Sequence, residues 1–197
     1  MRLLIAGASL LLLTNCRAFD SALLHPASLS LPVRLPALSA EVHLYGLRPA
    51  VDSVRAAAVA QDIDTLFAQE VRQVLALPTG STQGTAVLTV RRVRYGEGFL
   101  YSFVSGASLC SLNLLGFPAG RIHCTTDVVL DIRNRHGELV GTYYTQGKGA
   151  QLVGFYGRPK YTVAIRTAYL LSVRQGLAQL LPQLQAEMPQ LRAALAD

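Results

Sequence analysis

The segment Thr125–Thr145 reads TTDVVLDIRNRHGELVGTYYT and decides the fold. In its first half, Val128, Leu130 and Ile132 alternate with polar residues, and this period of two predicts a strand with one face in a core. The central NRHG predicts a tight turn, because Gly137 can adopt a positive φ. The residues after the turn return as a partner strand, so the segment predicts a β-hairpin.

Four further elements flank this hairpin. Ser39–Gly46 and Thr85–Tyr95 have the composition and alternation of strands. Apolar residues at helical spacing predict helices over Asp62–Leu77, whose first residue could act as the cap, and over Tyr161–Gln185. Pro182 is expected to kink or end the second helix. The order strand, helix, strand, strand, strand, helix predicts an α+β fold, with a largely antiparallel four-stranded sheet and two amphipathic helices on one face.

The strand Thr85–Tyr95 loses its alternation partway along. Leu88 and Val90 lie on one face, whereas Val93 and Tyr95 lie on the other. A bulge near residues 91–92 would bring all four side chains to the same face.

Two apolar segments are expected at one end of the sheet. Gly98–Gly120 has no charged residue. It is long enough to span a bilayer, but it contains glycines and Pro118 and lies between two strands that should pair. We therefore expect an apolar hairpin projecting from the sheet. A second apolar segment, Leu152–Gly157, lies between the last strand and the last helix.

Lys and Arg residues frame both segments, and this combination suits a membrane interface. The apolar side chains would enter the acyl boundary while the cations meet phosphates. The alternative is that the segments form core or a pocket, as in a soluble periplasmic ligand-binding domain. The predicted contact residues are Phe99, Phe103, Leu114, Phe117, Phe155, Arg94, Arg121, Arg158 and Lys160.

The N-terminus has the pattern of a secretory signal. Arg2 is followed by the apolar run Leu3–Leu13, which is too short to span a bilayer. The run ends in LTNC, which resembles the bacterial lipobox, although Asn15 stands where that pattern prefers Gly, Ala or Ser. The resemblance implies cleavage before Cys16 and acylation of its thiol. The alternative is an ordinary secretory peptide cut after Ala18.

The resulting organisation is a signal peptide over 1–15, a lipidated Cys16 with a flexible tether over 16–38, and one domain over 39–197. The layout of the domain, with apolar loop, TTDVVLDIRNRHGELVGTYY, second apolar loop and Leu-rich helix, is similar to small α/β lipoproteins that assist lipopolysaccharide assembly or serve transport systems. That similarity implies a non-catalytic partner of a larger envelope complex. It carries no residue role.

Localisation and partners follow from the same resemblance. Arg17 is not the Asp that retains many lipoproteins in the inner membrane, so the resemblance implies the outer membrane, facing the periplasm. The net charge of +6 suits anionic lipid or lipopolysaccharide, and export argues against nucleic acid.

Cys110 and Cys124 could form a disulfide in the oxidising periplasm, or they could be two buried free thiols.

The sequence contains few patterns typical of catalytic or metal sites. The four histidines are scattered, and none has metal-ligand spacing. Neither a nucleophile elbow nor a phosphate loop is present. We therefore expect a protein that is not an enzyme and that needs neither a metal nor a cofactor.

Overall fold

The predicted hairpin is present in the computed structural model, which describes residues 19–26, 31–46, 53–108, 111–154 and 159–196. A 3-10 turn, Ser21–Leu24, precedes the sheet, and a π-helical turn, Val71–Leu75, follows the first helix. The main elements are β1 (Leu38–Tyr45), α1 (Ser53–Glu70), β2 (Gly84–Glu97), α2 (Phe99–Ala107), α3 (Ser111–Leu114), β3 (Gly120–Asn134), β4 (Leu139–Val153) and α4 (Tyr161–Ala196).

The sheet is mixed. Its strand order is β1-β2-β3-β4, with β2, β3 and β4 antiparallel and β1 parallel to β2. The parallel pair arises because α1 crosses between β1 and β2 and returns the chain to the end from which β1 starts. The predicted α+β class and four-stranded sheet are therefore confirmed, but the sheet is not purely antiparallel.

Helices α1 and α4 cover one face of this sheet. The inward side chains of β3, including Val128, Leu130 and Ile132, are fully buried beneath them. Helix α4 continues through Pro182 to Ala196, so the helix does not end at that proline or near Gln185. The apolar stripe of α4 stays buried beyond Pro182, and this packing offsets the roughly 3 kcal/mol that a proline costs within a helix.

Glycines in β4 allow α4 to approach the sheet very closely. A Cβ atom on Gly147 would lie 1.8 Å from the Ser172 carbonyl oxygen, and one on Gly149 would lie 2.0 Å from that of Ala168. The backbone of α4 therefore rests directly on β4 in this region.

The irregularity of β2 lies one residue later than expected. The register with β3 shifts between Arg92 and Arg94, which leaves Val93 as the extra residue. Val93 is 52% exposed, so the expectation that it joins the inner face is wrong. Tyr95 does return to the inner face, opposite Cys124, because one inserted residue reverses the alternation.

Asp62 does not cap a helix. It lies inside α1, which starts nine residues earlier, and its buried carboxylate accepts hydrogen bonds from Arg166 of α4.

The segment that we expected to be a tether packs on the domain where the structure describes it. Leu31 and Leu35 are buried in the core, and the Leu35 N–H donates to the Leu75 carbonyl at 2.9 Å.

Candidate membrane-contact surface

The apolar segment between β2 and β3 is helical. We call its residues 98–119 the insert; α2 and α3 belong to it, and residues 109–110 lie outside the described residues. Its base is fixed to the sheet, because the Gly98 N–H donates to the Arg121 carbonyl at 2.7 Å and the Ala119 N–H donates to the Val153 carbonyl at 2.8 Å. The expected simple hairpin is therefore a pair of short helices.

The inside of the insert contains buried polar side chains beside packed rings. The fully buried Asn113 donates through Nδ2 to Ser105 Oγ at 2.9 Å and to the Phe117 carbonyl at 3.1 Å. The Tyr101 and Phe117 rings lie against each other, with centroids 5.9 Å apart. These contacts give the insert a defined internal structure.

The outside of the insert is apolar. Phe99, Leu100 and Phe103 of α2 are 77%, 68% and 59% exposed, and Leu115 is 84% exposed. The rings of Phe99 and Phe103, one helical turn apart, stack with centroids 5.8 Å apart. A cluster of large exposed apolar side chains commonly marks an interaction surface. We call these four residues the apolar patch.

Exposed cations surround the base of the insert. Arg94 lies near the end of β2, Arg121 at the start of β3, and Lys160 just before α4. None of the three forms an ion pair with a carboxylate in the part of the chain that the structure describes. Their charges are therefore available to an external anion.

The register places these features at one end of the sheet. Glu97 at the end of β2 pairs with Ile122, and Gly120 at the start of β3 pairs with Val153 at the end of β4. The expectation that both apolar segments leave the sheet at one end agrees with this register. We call it the insert end.

A tyrosine pair ties the start of α4 to the same end. The Tyr161 hydroxyl donates to the Glu97 carboxylate and lies 2.9 Å from the Tyr95 hydroxyl. Burial raises the pKa of the Tyr161 hydroxyl, and its bond to Glu97 adds to that rise. The hydroxyl therefore stays protonated and keeps donating.

The predicted contact residues occupy different environments. Phe99 and Phe103 are exposed, whereas Phe117 is half-buried against Tyr101. Leu114 belongs to α3, but the structure does not describe its side chain. Sequence reasoning missed Leu100 and Leu115. The residues that lie outside the described part of the chain are Cys16, Cys110, Phe155 and Arg158.

Cys124 is a buried free thiol on the inner face of β3. Burial raises its pKa to about 11, so the thiol is protonated at neutral pH and is a poor nucleophile. The structure does not describe Cys110, its predicted disulfide partner.

The rest of the described chain offers few other sites. No group of three or more His, Cys, Asp or Glu side chains is placed to hold a metal ion there. Among the same residues, none of the helices combines the length and apolar character that crossing a bilayer requires.

No protein-family model matches the chain, and no curated protein matches it either. Among solved structures, the chain is similar to one described as "a putative lipoprotein from Caulobacter crescentus CB15". The sequence identity is 14% and the TM-score 0.32, over 80% of this chain and 91% of that one. A likeness of this degree carries no functional argument.

Proposed function

We propose that this chain is a lipid-anchored accessory protein of the bacterial cell envelope, without catalytic activity, whose insert contacts a membrane surface. The observation that carries the proposal is the apolar patch: Phe99 and Phe103 are exposed on an insert whose base is bonded to Arg121. The signal and lipobox pattern of Met1–Cys16 supports the anchor, and Arg17 supports the outer membrane as its location.

The energies suggest that the insert orients the protein while the lipid anchors it. Full transfer of one Phe or Leu side chain from water gains roughly 1.5–3 kcal/mol, and a cation near an anionic surface gains about 1 kcal/mol. A few such contacts give weak, reversible binding, whereas two or more acyl chains anchor stably.

The alternative is a soluble ligand-binding domain whose apolar segments form core or a pocket. That function would require the large apolar side chains of α2 to face inwards. Phe99, Leu100 and Phe103 face solvent instead, whereas the polar Asn113 is fully buried. The exposure of α2 therefore favours an external apolar partner.

A flotation assay with vesicles of phosphatidylglycerol and phosphatidylethanolamine tests the contact. The protein would start at Arg17, which retains every described element. Two triple variants have the same change in net charge, one at the insert end and one elsewhere on the exposed surface. They are Arg94→Glu, Arg121→Glu, Lys160→Glu and, as the control, Arg72→Glu, Arg133→Glu, Arg192→Glu.

We expect the insert-end variant to lower vesicle binding by on the order of 100-fold, because three contacts of about 1 kcal/mol are lost, and the control to lower it much less. Equal losses in both variants would contradict a localised contact.

The anchor is tested by mass spectrometry of the mature protein. An acylated Cys16 is expected, and an unmodified N-terminus at Phe19 would refute it.

A further inference from the structure

The segment that follows Cys16 in the sequence is held on α4. The guanidinium carbon of Arg166 lies 3.9 Å from the centroid of the Phe19 ring, a cation–π contact. Arg166 is itself held in place by the buried carboxylate of Asp62, with Nη2 2.5 Å from Oδ1. Phe19 therefore packs on an arginine whose position α1 already fixes.

A second arginine of α4 holds the residues that follow. Arg174 donates from Nη1 to the Leu23 carbonyl at 3.1 Å and to the Ala22 carbonyl at 3.4 Å. Phe19 and Leu23 also pack against the hydrophobic core. We call residues 19–24 the strap, because they are fixed to α4 at two points, two helical turns apart.

The strap begins close to the insert end. Helix α4 starts at Tyr161, which is bonded to Glu97 at the base of the insert. Arg166 is five residues further on, a rise of about 7.5 Å along the helix. Cys16 precedes Phe19 by three residues, so its Cα lies within about 11 Å of that of Phe19. A lipid on Cys16 would therefore be close to the insert end.

We propose that the strap holds the lipid-bearing Cys16 beside the insert, so that the lipid and the apolar patch enter the same bilayer. This inference rests on the proposed lipidation and deepens it, because it names the surface that the insert meets: the anionic membrane that carries the protein's own lipid. The sheet then stands on the membrane by its insert end, with the turn at Gly137 pointing away.

The length of free chain makes this arrangement effective. A flexible tether of about 22 residues, from Cys16 to Leu38, would have an r.m.s. length of roughly 25 Å and would leave the domain free to turn. With the strap docked, Cys16 is three positions from Phe19, which is held on Arg166. A second contact joined by so short a link acts at a high effective concentration, which allows a weak apolar patch to remain bound.

The test uses the full-length lipidated protein in vesicles of phosphatidylglycerol and phosphatidylethanolamine. An environment-sensitive fluorophore is attached at Leu100→Cys in the apolar patch or, as the matched control, at Leu139→Cys, an exposed leucine at the opposite end of the sheet. Both variants carry Cys110→Ser, and Cys124 is buried and protected from labelling. A quencher lipid is placed either in the host vesicles or in added protein-free vesicles.

We expect quenching at position 100 to be several-fold greater than at position 139, and only with the quencher in the host vesicles. Equal quenching at the two positions, or quenching at position 100 by the added vesicles alone, would overturn the inference. Mass spectrometry of the same samples distinguishes a failure of the lipid anchor from a failure of the proposed orientation. A protein without the acyl group overturns the anchor as well, whereas an acylated protein with equal quenching overturns the orientation alone.

A flexible linker of about 20 residues between Ala18 and Phe19 tests the role of the strap. It lengthens the free chain without touching a described contact, and we expect occupancy of the membrane by the insert to fall about ten-fold. The same linker placed between Arg135 and His136, in the exposed hairpin turn, should leave quenching unchanged. Unchanged quenching with the first linker would refute the proposed role of the strap.

Discussion

The interface between α4 and β4 and the insert at the end of the sheet are both rich in apolar and small residues, yet they use them in opposite ways. In the interface, Leu170, Leu180 and Leu184 are buried, and Gly147 brings the two backbones together. In the described part of the insert, Phe99, Leu100 and Phe103 face solvent, whereas the polar Asn113 is fully buried.

This difference shows why composition alone does not locate a core. Burial of apolar side chains stabilises a domain, and buried polar groups must be hydrogen-bonded. The insert meets the second condition only in part, because Asn113 donates through Nδ2 to Ser105 while its buried Oδ1 has no partner among the described residues. Phe99, Leu100 and Phe103 of the insert remain exposed to water. An inside-out arrangement of this kind is stable on a fixed base and gains further stability when an apolar phase covers it. Variants that disrupt the α4–β4 interface or the insert separately test this difference.

The largest effect is expected at Gly147. A valine there would place Cβ 1.8 Å from the Ser172 carbonyl, and no side-chain rotation relieves an overlap with backbone. We expect a loss of about 4 kcal/mol or more in the free energy of unfolding, measured by urea denaturation. The matched variant in the insert is Gly106→Ala. Its Cβ meets nothing within 4 Å, so we expect a gain of about 0.5 kcal/mol from helix propensity. Similar losses in both variants would contradict the contrast.

A smaller effect is expected at Glu70, a buried carboxyl group in the helix layer. Desolvation raises its pKa from 4.5 to about 7, against the opposing effect of Arg174. The folded state therefore binds more protons than the unfolded state between these two values, so the free energy of unfolding should fall as pH rises from about 4.5 to about 7. The size is on the order of 3 kcal/mol, since one pKa unit corresponds to about 1.4 kcal/mol.

Glu70→Gln should remove this pH dependence and stabilise the protein above pH 7. The measurement is urea denaturation of both proteins across the range. If the variant retains the slope, another group is responsible. Because Arg174 also holds the strap, proteolysis near Ala22 in the same samples would show whether the charge of Glu70 affects strap docking.

The sequence predicted the parts of the fold that depend on local patterns. The alternation around Val128 and the turn at Gly137 gave the hairpin, and the apolar stripe of α4 gave the helix that covers it. The parallel pairing of β1 could not be read from alternation, which is the same in both strand directions. Nor could the continuation through Pro182, where packing outweighs local preference.

The candidate site was also predicted from the sequence only in part. The absence of charge between Gly98 and Gly120 marked the insert, but a linear pattern does not say which side chains turn outward once the segment becomes helical. The sequence did not predict the strap, for a different reason. The contact between Phe19 and Arg166 joins residues that are far apart in the sequence, and the pairing of Arg166 with Asp62 arises only when α1 packs on α4.

The smallest effect on stability is expected for Phe103→Ser. This variant tests whether the exposed apolar side chains of the insert serve binding rather than folding. Phe103 is already 59% exposed, so its loss should change the free energy of unfolding by less than about 0.5 kcal/mol. Vesicle flotation should nevertheless weaken about ten-fold, because the transfer of a partly exposed phenyl ring into an apolar phase is worth about 1–2 kcal/mol. Leu139→Ser removes an equally exposed side chain at the other end of the sheet and should change neither quantity. A large loss of stability in Phe103→Ser would instead assign the ring to the core, and α2 would then be a cover for the sheet rather than a surface for a membrane.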